Sequence, residues 1–393
     1  MSRAVLHLID TGGPGGAETI YFQVALGLRP ERWRSLTAVP ERDWLAATLE
    51  RLGAEPLLLQ SAGSFDVRFL AALVRLVRRE RVQLIHAHLF DSGVYASLAG
   101  RLTGVPVVCT LHGRVDVDHR DPYLAAKRRI LDRRRNRVVF VSDTLRRWYA
   151  GAAPLRRAPT LVVHNGIDTR EFAPGRSGAL RAELGMAQGE LLLGAVGNIR
   201  PAKDYSTLLR AAALLRDAGA PVRFVVVGAG GNELQRRLEE ERAALGLERQ
   251  VVLAGFREDI TAVLRGLDGY VSSSSSEGFS LTTVQAMACG LPVLATRCGG
   301  PEEIVDDGLT GLLVPPGSPE ALAYGVMRLA ADPALRARLG RAAREAAETR
   351  FALEKMVAGY EDVYAGALGS AGVEQPGREG APAGARPRTL AQA

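Results

Sequence analysis

Short, continuously apolar runs alternate with helix-length amphipathic stretches along almost the whole chain, and this rhythm constrains the fold more than any other feature. A strand that is apolar at every position has both faces buried, the condition of a parallel sheet covered by helices on each side. In the first half the strand candidates are residues 5–9, 36–39, 56–59, 82–86, 105–111, 138–141 and 161–163. Helical patterns over 17–28, 44–52, 67–79, 92–102 and 123–135 lie between several of them. The alternation predicts a doubly wound α/β unit. A stretch rich in Gly, Pro, Ala and Arg follows at 172–189, and then the rhythm restarts: strands at 191–196, 222–227, 251–253, 269–271 and 292–295, with helices between and after them.

The organisation expected is therefore α/β, with two Rossmann-like doubly wound domains. The first spans 1–170, a hinge 171–190, the second 191–350, and an amphipathic helix 351–368 closes the chain. Residues 369–393 hold almost no large apolar side chain and are expected to be disordered, because little burial would offset the entropy of ordering. No apolar run approaches the ~20 residues of a membrane span, and no signal-peptide pattern is read at the start. Cys109, Cys289 and Cys298 are odd in number and lack metal-ligand spacing, which favours a reducing, cytoplasmic setting.

A formal net charge of +7 points to anionic partners such as phosphorylated ligands or anionic lipid. The densest basic run, KRRILDRRRNR from Lys127 to Arg137, reads as a solvated helix face or as a patch for peripheral docking on an anionic membrane. No recognition motif or aromatic platform accompanies it, so nucleic acid is not expected.

The loop after the first strand carries Gly15, Gly16, Ala17 and Glu18. Successive glycines let backbone N–H groups approach an anion, and the helix that follows adds a favourable partial charge. A dinucleotide fingerprint would need glycine at Glu18 here, or at Glu233 in the similar turn at 228–233, which disfavours a nicotinamide enzyme. The most informative stretch is SSSSSEGFSLTTVQAMACGLPVLATRCGGP, residues 272–301. Amides of Phe279, Ser280 and Leu281, following Gly278, fall at a helix N-terminus suited to a phosphate. Glu277, just outside, can accept hydrogen bonds from ligand hydroxyls. Strand and helix flank the five serines too closely for a flexible linker. His86 and His88, two residues apart, point to one face of an extended chain. No third metal ligand is apparent from sequence, and they read as polar residues lining a strand-end loop.

The 272–301 stretch resembles the retaining GT-B glycosyltransferases of the large family that includes sucrose synthases and bacterial mannosyltransferases (glycosyltransferase family 4, "glycosyl transferases group 1"). That family embeds two acids in E-G-F-x-x-x-x-x-E-A-M-A-x-G-x-P-V. Glu277 fits the first acid and Gln285 occupies the second. The resemblance runs to about residue 365. It implies that Glu277 reads sugar hydroxyls, that Gln285 meets the ribose, and that Gly15–Glu18 faces the acceptor and the phosphates. It implies that His112 is the active-site histidine and that Lys203 neutralises the diphosphate. Asn198 stands where the family has an arginine, with Arg200 two residues on, and Gly255, Phe256 and Arg257 lie where the nucleobase is wrapped. The implied architecture is a GT-B pair of domains facing a central cleft. The implied activity is metal-independent, retaining transfer from a UDP- or GDP-linked sugar to a glycan, lipid-linked or small-molecule hydroxyl, in cell-surface polysaccharide or glycoconjugate synthesis. No cofactor is implied. A sugar leaving a diphosphate builds negative charge on the phosphate, which a lysine and helix amides stabilise preferentially in the transition state. The alternatives kept open are a sugar-nucleotide epimerase of the same fold and a non-catalytic sugar-nucleotide-binding homologue.

Overall fold

The computed structural model describes residues 2–63, 65–116 and 120–369. The first half builds seven strands: β1 (Arg3–Leu8), β2 (Trp33–Val39), β3 (Leu57–Leu58), β4 (Leu84–His88), β5 (Val107–Leu111), β6 (Asn136–Phe140) and β7 (Thr160–Val162). All pairings are parallel, in the order β3-β2-β1-β4-β5-β6-β7. The second half builds β8 (Leu191–Val196), β9 (Val222–Val227), β10 (Val251–Leu253), β11 (Gly269–Ser272), β12 (Val293–Thr296) and β13 (Leu312–Val314). These too are parallel, in the order β10-β9-β8-β11-β12-β13. Strands β4 and β5 are buried at every residue, as burial of both sheet faces requires. The chain thus folds into two Rossmann-like domains. In each, the strand order reverses beside the first strand, between β1 and β4 and again between β8 and β11. A crevice opens at such a switch point, beyond the C-terminal strand ends.

Three local departures from the sequence reading have physical causes. The helix expected over 123–135 is Leu124–Leu131. Asp132 ends it, because its carboxylate accepts from the backbone N–H groups of Arg156, Arg157 and Ala158 and draws the chain out of helical geometry. Strand β13 has only three residues and lies at a sheet edge, too short to show periodicity. The stretch 171–190 is not a bare linker. It contains the helix Ala179–Glu183, which buries Leu180 and ties Arg181 to Asp268 at 2.7 Å.

After the second sheet, helices Pro319–Ala331 and Pro333–Arg350 lead to a closing helix, Leu353–Ala367, that packs on the first domain. Its Glu361 pairs with Arg29, its Val357 fills the space beside Gly27, and Tyr360 and Tyr364 are fully buried. Among the described residues no helix is long and apolar enough to cross a membrane. The expected tail lies, from residue 370 onward, outside the described residues.

Candidate active site at the junction of the two sheets

The loops leaving β8 and β11 flank the second switch point, and they carry Lys203 and Glu277. The serine run after β11 is laced onto the turn after β8. Ser273 Oγ donates to the Lys203 carbonyl at 2.9 Å, and Ser275 N–H to the Ala202 carbonyl at 2.8 Å. Ser272, Ser273 and Ser274 are buried, so the run is a fixed brace. The result is a tight ion pair, with Lys203 Nζ 2.6 Å from Glu277 Oε1, which also accepts from Ser274 Oγ at 2.8 Å. Desolvation works against the ammonium charge, but the attraction of Glu277 outweighs it and raises the lysine's pKa. Lys203 therefore stays cationic in a largely enclosed place. Its stem crosses Gly197, which has φ +153° and where a Cβ would sit 2.6 Å from Lys203 Cε; glycine clears the lysine's path.

Two helix N-termini converge beside this pair. Helix Leu281–Ala288 begins after Ser280, whose side chain accepts from Thr283 Oγ1 and makes no cap. Helix Gly16–Gly27 of the first domain begins after Gly15, again without a side-chain cap. First-turn amides left without side-chain acceptors are anion-seeking. The two ends face one another, since a Cβ at Gly16 would lie 3.5 Å from Leu281 Cδ1. Glu18 in the first turn is buried and accepts from Thr11 Oγ1 at 2.6 Å.

His112 enters from the end of β5. Its carbonyl presses on Gly278, where a Cβ would lie 2.0 Å from the His112 oxygen, so only glycine permits this closeness between the domains. Ser142 Oγ of the first domain also donates to the Gly278 carbonyl at 2.7 Å. The imidazole is partly buried. Its Nε2 lies 3.1 Å from His88 Nδ1, and burial pushes its pKa down to about 3, so the ring is neutral at physiological pH. Below it, Asp116 accepts from the His112 and Gly113 N–H groups and fixes the loop.

The structure thus brings Lys203, Glu277, Gly278, Ser280, Leu281, Gly15, Gly16 and His112 to one junction. Asn198 does a different job from a phosphate-binding cation: its Nδ2 donates to the Pro14 carbonyl at 3.1 Å, bridging the domains. Arg200 is exposed and has no ion pair among the described residues. Gln285 sits one turn into the Leu281 helix, partly buried. The Phe279 side chain points away from the junction, stacking on His164 with ring centres 5.8 Å apart. At the C-terminal edge of the second sheet, the Gly255 carbonyl accepts from Gly228 N–H, and Phe256 is 47% exposed. Arg257 is already committed to Glu183 and Asp259, each at 2.9 Å, and is no free cation.

Two sequence readings need correction. Lys127 is buried, held by Asp91 at 2.8 Å and Asp121 at 2.6 Å, and belongs to no surface patch. His86 and His88 are strand residues sealed in the core, not loop residues. A third histidine, His7, joins them, and ligand nitrogens of the three lie within 4.8 Å of one another. Both nitrogens of His86 are engaged, by Tyr364 OH at 2.6 Å and Thr110 Oγ1 at 2.8 Å. His7 escaped the sequence reading because only the β1–β4 register sets it opposite His86.

Comparison with known proteins agrees with this geometry. Residues 14–171 match the family model "Glycosyltransferase Family 4" and residues 177–346 the model "Glycosyl transferases group 1". The chain is 34% identical over 309 residues to the D-inositol 3-phosphate glycosyltransferase of Saccharomonospora viridis, covering 72% of this chain and 70% of that one. It is 28% identical over 306 residues to the N-acetyl-alpha-D-glucosaminyl L-malate synthase of Bacillus anthracis, covering 76% and 79%. Among solved structures, Anabaena Alr3699/HepE in complex with UDP-glucose superposes with a TM-score of 0.83 at 25% identity, over 92% of this chain and 99% of that one. With the junction of two switch points, a partly buried lysine–glutamate pair and matching family models over both halves, the chain belongs to the glycosyl transferases of group 1, glycosyltransferase family 4, and is a glycosyltransferase of GT-B architecture.

Proposed function

We propose that the protein moves a sugar from a nucleoside-diphosphate donor, uridine- or guanosine-linked, to a hydroxyl acceptor with retention of anomeric configuration. The observation that carries this reading is the Lys203–Glu277 pair set beside two facing, uncapped helix N-termini. The diphosphate lies against Lys203 and the amides after Ser280, and Arg200 can swing onto it from its exposed position. Phe256 offers a stacking face for the base, Gln285 a neutral hydrogen-bonding partner for the ribose, and the free Glu277 oxygen an acceptor for sugar hydroxyls. As the anomeric bond lengthens, negative charge grows on the phosphate where lysine and amides already point.

The state of the nearby carboxylates bears on the route by which retention is reached. Glu277 is held by Lys203 and Ser274, Asp116 by two backbone N–H groups, and Glu18 by Thr11. The reading gives the second Glu277 oxygen to the sugar hydroxyls and not to the anomeric carbon, so attack comes from the face the phosphate leaves, with the phosphate taking the acceptor's proton. Neutral His112 positions the sugar. The activities named for the relatives, on inositol 3-phosphate and L-malate, support a small hydroxyl acceptor as readily as a glycan. The chemistry assigned to these residues needs no bound metal. Thermal-shift and turnover assays with uridine- and guanosine-diphosphate sugars test the reading. Stabilisation by one nucleotide class and an α-linked product from an α-linked donor are expected, in chelator as in buffer. Silence from every nucleotide refutes it, and conversion of the donor with no acceptor present shows an epimerase instead.

The membrane reading shifts to other residues. Arg101, Arg129, Arg133, Arg134, Arg135 and Arg157 line a hollow of about 750 Å³. It lies at the N-terminal ends of β5 and β6, away from the cleft, and none of the six forms an ion pair among the described residues. This face suits peripheral docking on the cytoplasmic leaflet. Flotation with anionic but not zwitterionic vesicles is the expected result, and equal recovery with both removes the idea.

A further inference from the structure

A second hollow lies on the acceptor side of the junction. It encloses about 370 Å³ at the C-terminal ends of β1 and β4, within the size range of small-molecule sites. Ile9, Leu59, Phe65, Phe69 and Tyr95 form an apolar wall, and Asp10, Asp91, Ser92 and Lys127 supply the polar edge. The loop from Asp10 to Glu18 separates this hollow from the donor side. Its Asp10–Thr11 end lines the cavity, while Pro14 touches Asn198 and Gly16 touches Leu281. A molecule seated here therefore abuts the place where the sugar is released.

The charge of the hollow is one-sided. Among the described residues lining it, Lys127 is the only basic one, and Asp91 and Asp121 already neutralise it. Asp10 has no cationic partner among the described residues, and Asp91 faces it. Desolvation, reinforced by the charge of Asp91, raises the Asp10 carboxyl to about 6 against the opposing hydrogen bonds from its own backbone and from Ser92. Ser92 is 3% exposed, and both its hydroxyl and its backbone N–H lie at the Asp10 carboxylate, which leaves the oxygen lone pairs of the hydroxyl for a ligand.

We infer that this hollow is the acceptor site and that it takes a hydroxyl compound bearing a protonated amine, such as an amino sugar or aminocyclitol, with Asp10 as its counter-ion and Ser92 as a hydroxyl partner. The inference rests on the glycosyltransferase reading and narrows its substrate class. Acceptors carrying phosphate or carboxylate, like those in the names of the two relatives, meet like charge here and no free cation.

The test uses three cyclitols of one ring size: an aminocyclitol, myo-inositol and inositol 3-phosphate. Binding to the full chain in the presence of UDP is followed by ligand-observed NMR, and sugar transfer by nucleotide release. The aminocyclitol is expected to bind at least tenfold more tightly than inositol, and inositol 3-phosphate more weakly than either. Raising salt from about 0.05 to 0.5 M should erase most of the amine's advantage and leave inositol unchanged. Asp10→Asn should raise the KM of the aminated acceptor about tenfold while narrowing its lead over inositol. Should that variant not fold, the salt series on the wild-type protein decides the question by itself. Tightest binding of the phosphate, binding of none of the three, or an amine preference indifferent to salt overturns the inference. UDP binding and slow donor hydrolysis without acceptor report on the parent reading separately, so a chain that binds UDP yet prefers the phosphate refutes this inference alone.

Discussion

The sharpest perturbation is Lys203→Met, which keeps the length of the stem and deletes the charge. In the wild-type protein the ion pair spans 2.6 Å, with side chains only 19% and 14% exposed. At an effective dielectric near 20, two unit charges at that distance attract by about 6 kcal/mol, most of it offset by the cost of desolvating them. Removing one partner of a buried pair costs about 3–5 kcal/mol, because the other charge is stranded. Residual exposure places this pair near about 3 kcal/mol, which for a domain of this size lowers the melting temperature by roughly 6–12 °C. Transfer should fall about 10²–10³-fold, the usual effect of deleting one donor aimed at developing negative charge. The two effects are separable. Glu277→Gln placed in the Lys203→Met background removes the stranded charge, so the double variant should melt several degrees above the single one. Its transfer should stay lost, since no cation returns to the leaving phosphate. Differential scanning calorimetry and nucleotide-release kinetics on the two variants decide the matter. A double variant no more stable than Lys203→Met would refute the stranded-charge reasoning. Near wild-type transfer by either folded variant would remove Lys203 from the chemistry.

Glu303 of the second domain accepts from the Asp143 and Thr144 N–H groups that open a first-domain helix, and from His164 Nε2 at 3.0 Å. Desolvation opposes its charge, but these hydrogen bonds win and hold its carboxyl down to about 2. A depressed carboxyl stabilises the fold above its ordinary pKa near 4.5 and loses that effect as pH falls toward 2. Glu303→Gln should therefore cost about 1–2 kcal/mol at pH 7, after allowance for solvent screening. In urea melts the deficit should shrink below pH 4, and a deficit independent of pH would contradict the assignment. Gly278→Ala must push the Gly278 loop away from the His112 carbonyl, and a misplacement near 1 Å at a reacting centre costs about 10²-fold. Unchanged kcat/KM in that variant would show that the contact does not set the spacing. Ending the chain after Arg350 strips the buried Tyr360, Glu361 and Tyr364 from the first domain, so both stability and transfer should drop; a truncated protein equal to wild type in both would show that the closing helix is dispensable.

Where one element supplies its own signal, the chain could be read from sequence. Strands β8, β9 and β10 are apolar at nearly every position and lie where the pattern puts them, because burial of both faces leaves little choice of residue. Errors arose where a partner distant in sequence decides. The basic run after Lys127 looks like a continuing helix, yet Asp132 is claimed by amides more than twenty residues later. Lys127 looks like surface charge, yet Asp91, thirty-six residues earlier, holds it inside.

The site divides along the same line. Most of its second-domain half sits in the stretch 272–301, so spacing alone puts Glu277 next to the start of a helix, and the serine run was recognisable as structure from its apolar flanks; Lys203 joins them from the loop after β8. Its first-domain half is assembled by register. His7 meets His86 only because β1 pairs with β4, and Asp10 meets Asp91 only because the loop after β1 and the start of the helix Phe90–Thr103 after β4 share the first switch point. Nothing local in Asp10, Ser92 or Asp91 marks them as a group. This asymmetry has a physical basis: a nucleoside diphosphate presents the same phosphates in every case and can be held by a short motif, whereas an acceptor is matched by shape and charge gathered from several strand ends. On the proposed reading, the donor side is thus legible mainly from one segment, and the charge of the acceptor hollow emerges only once the sheet has brought its carboxylates together.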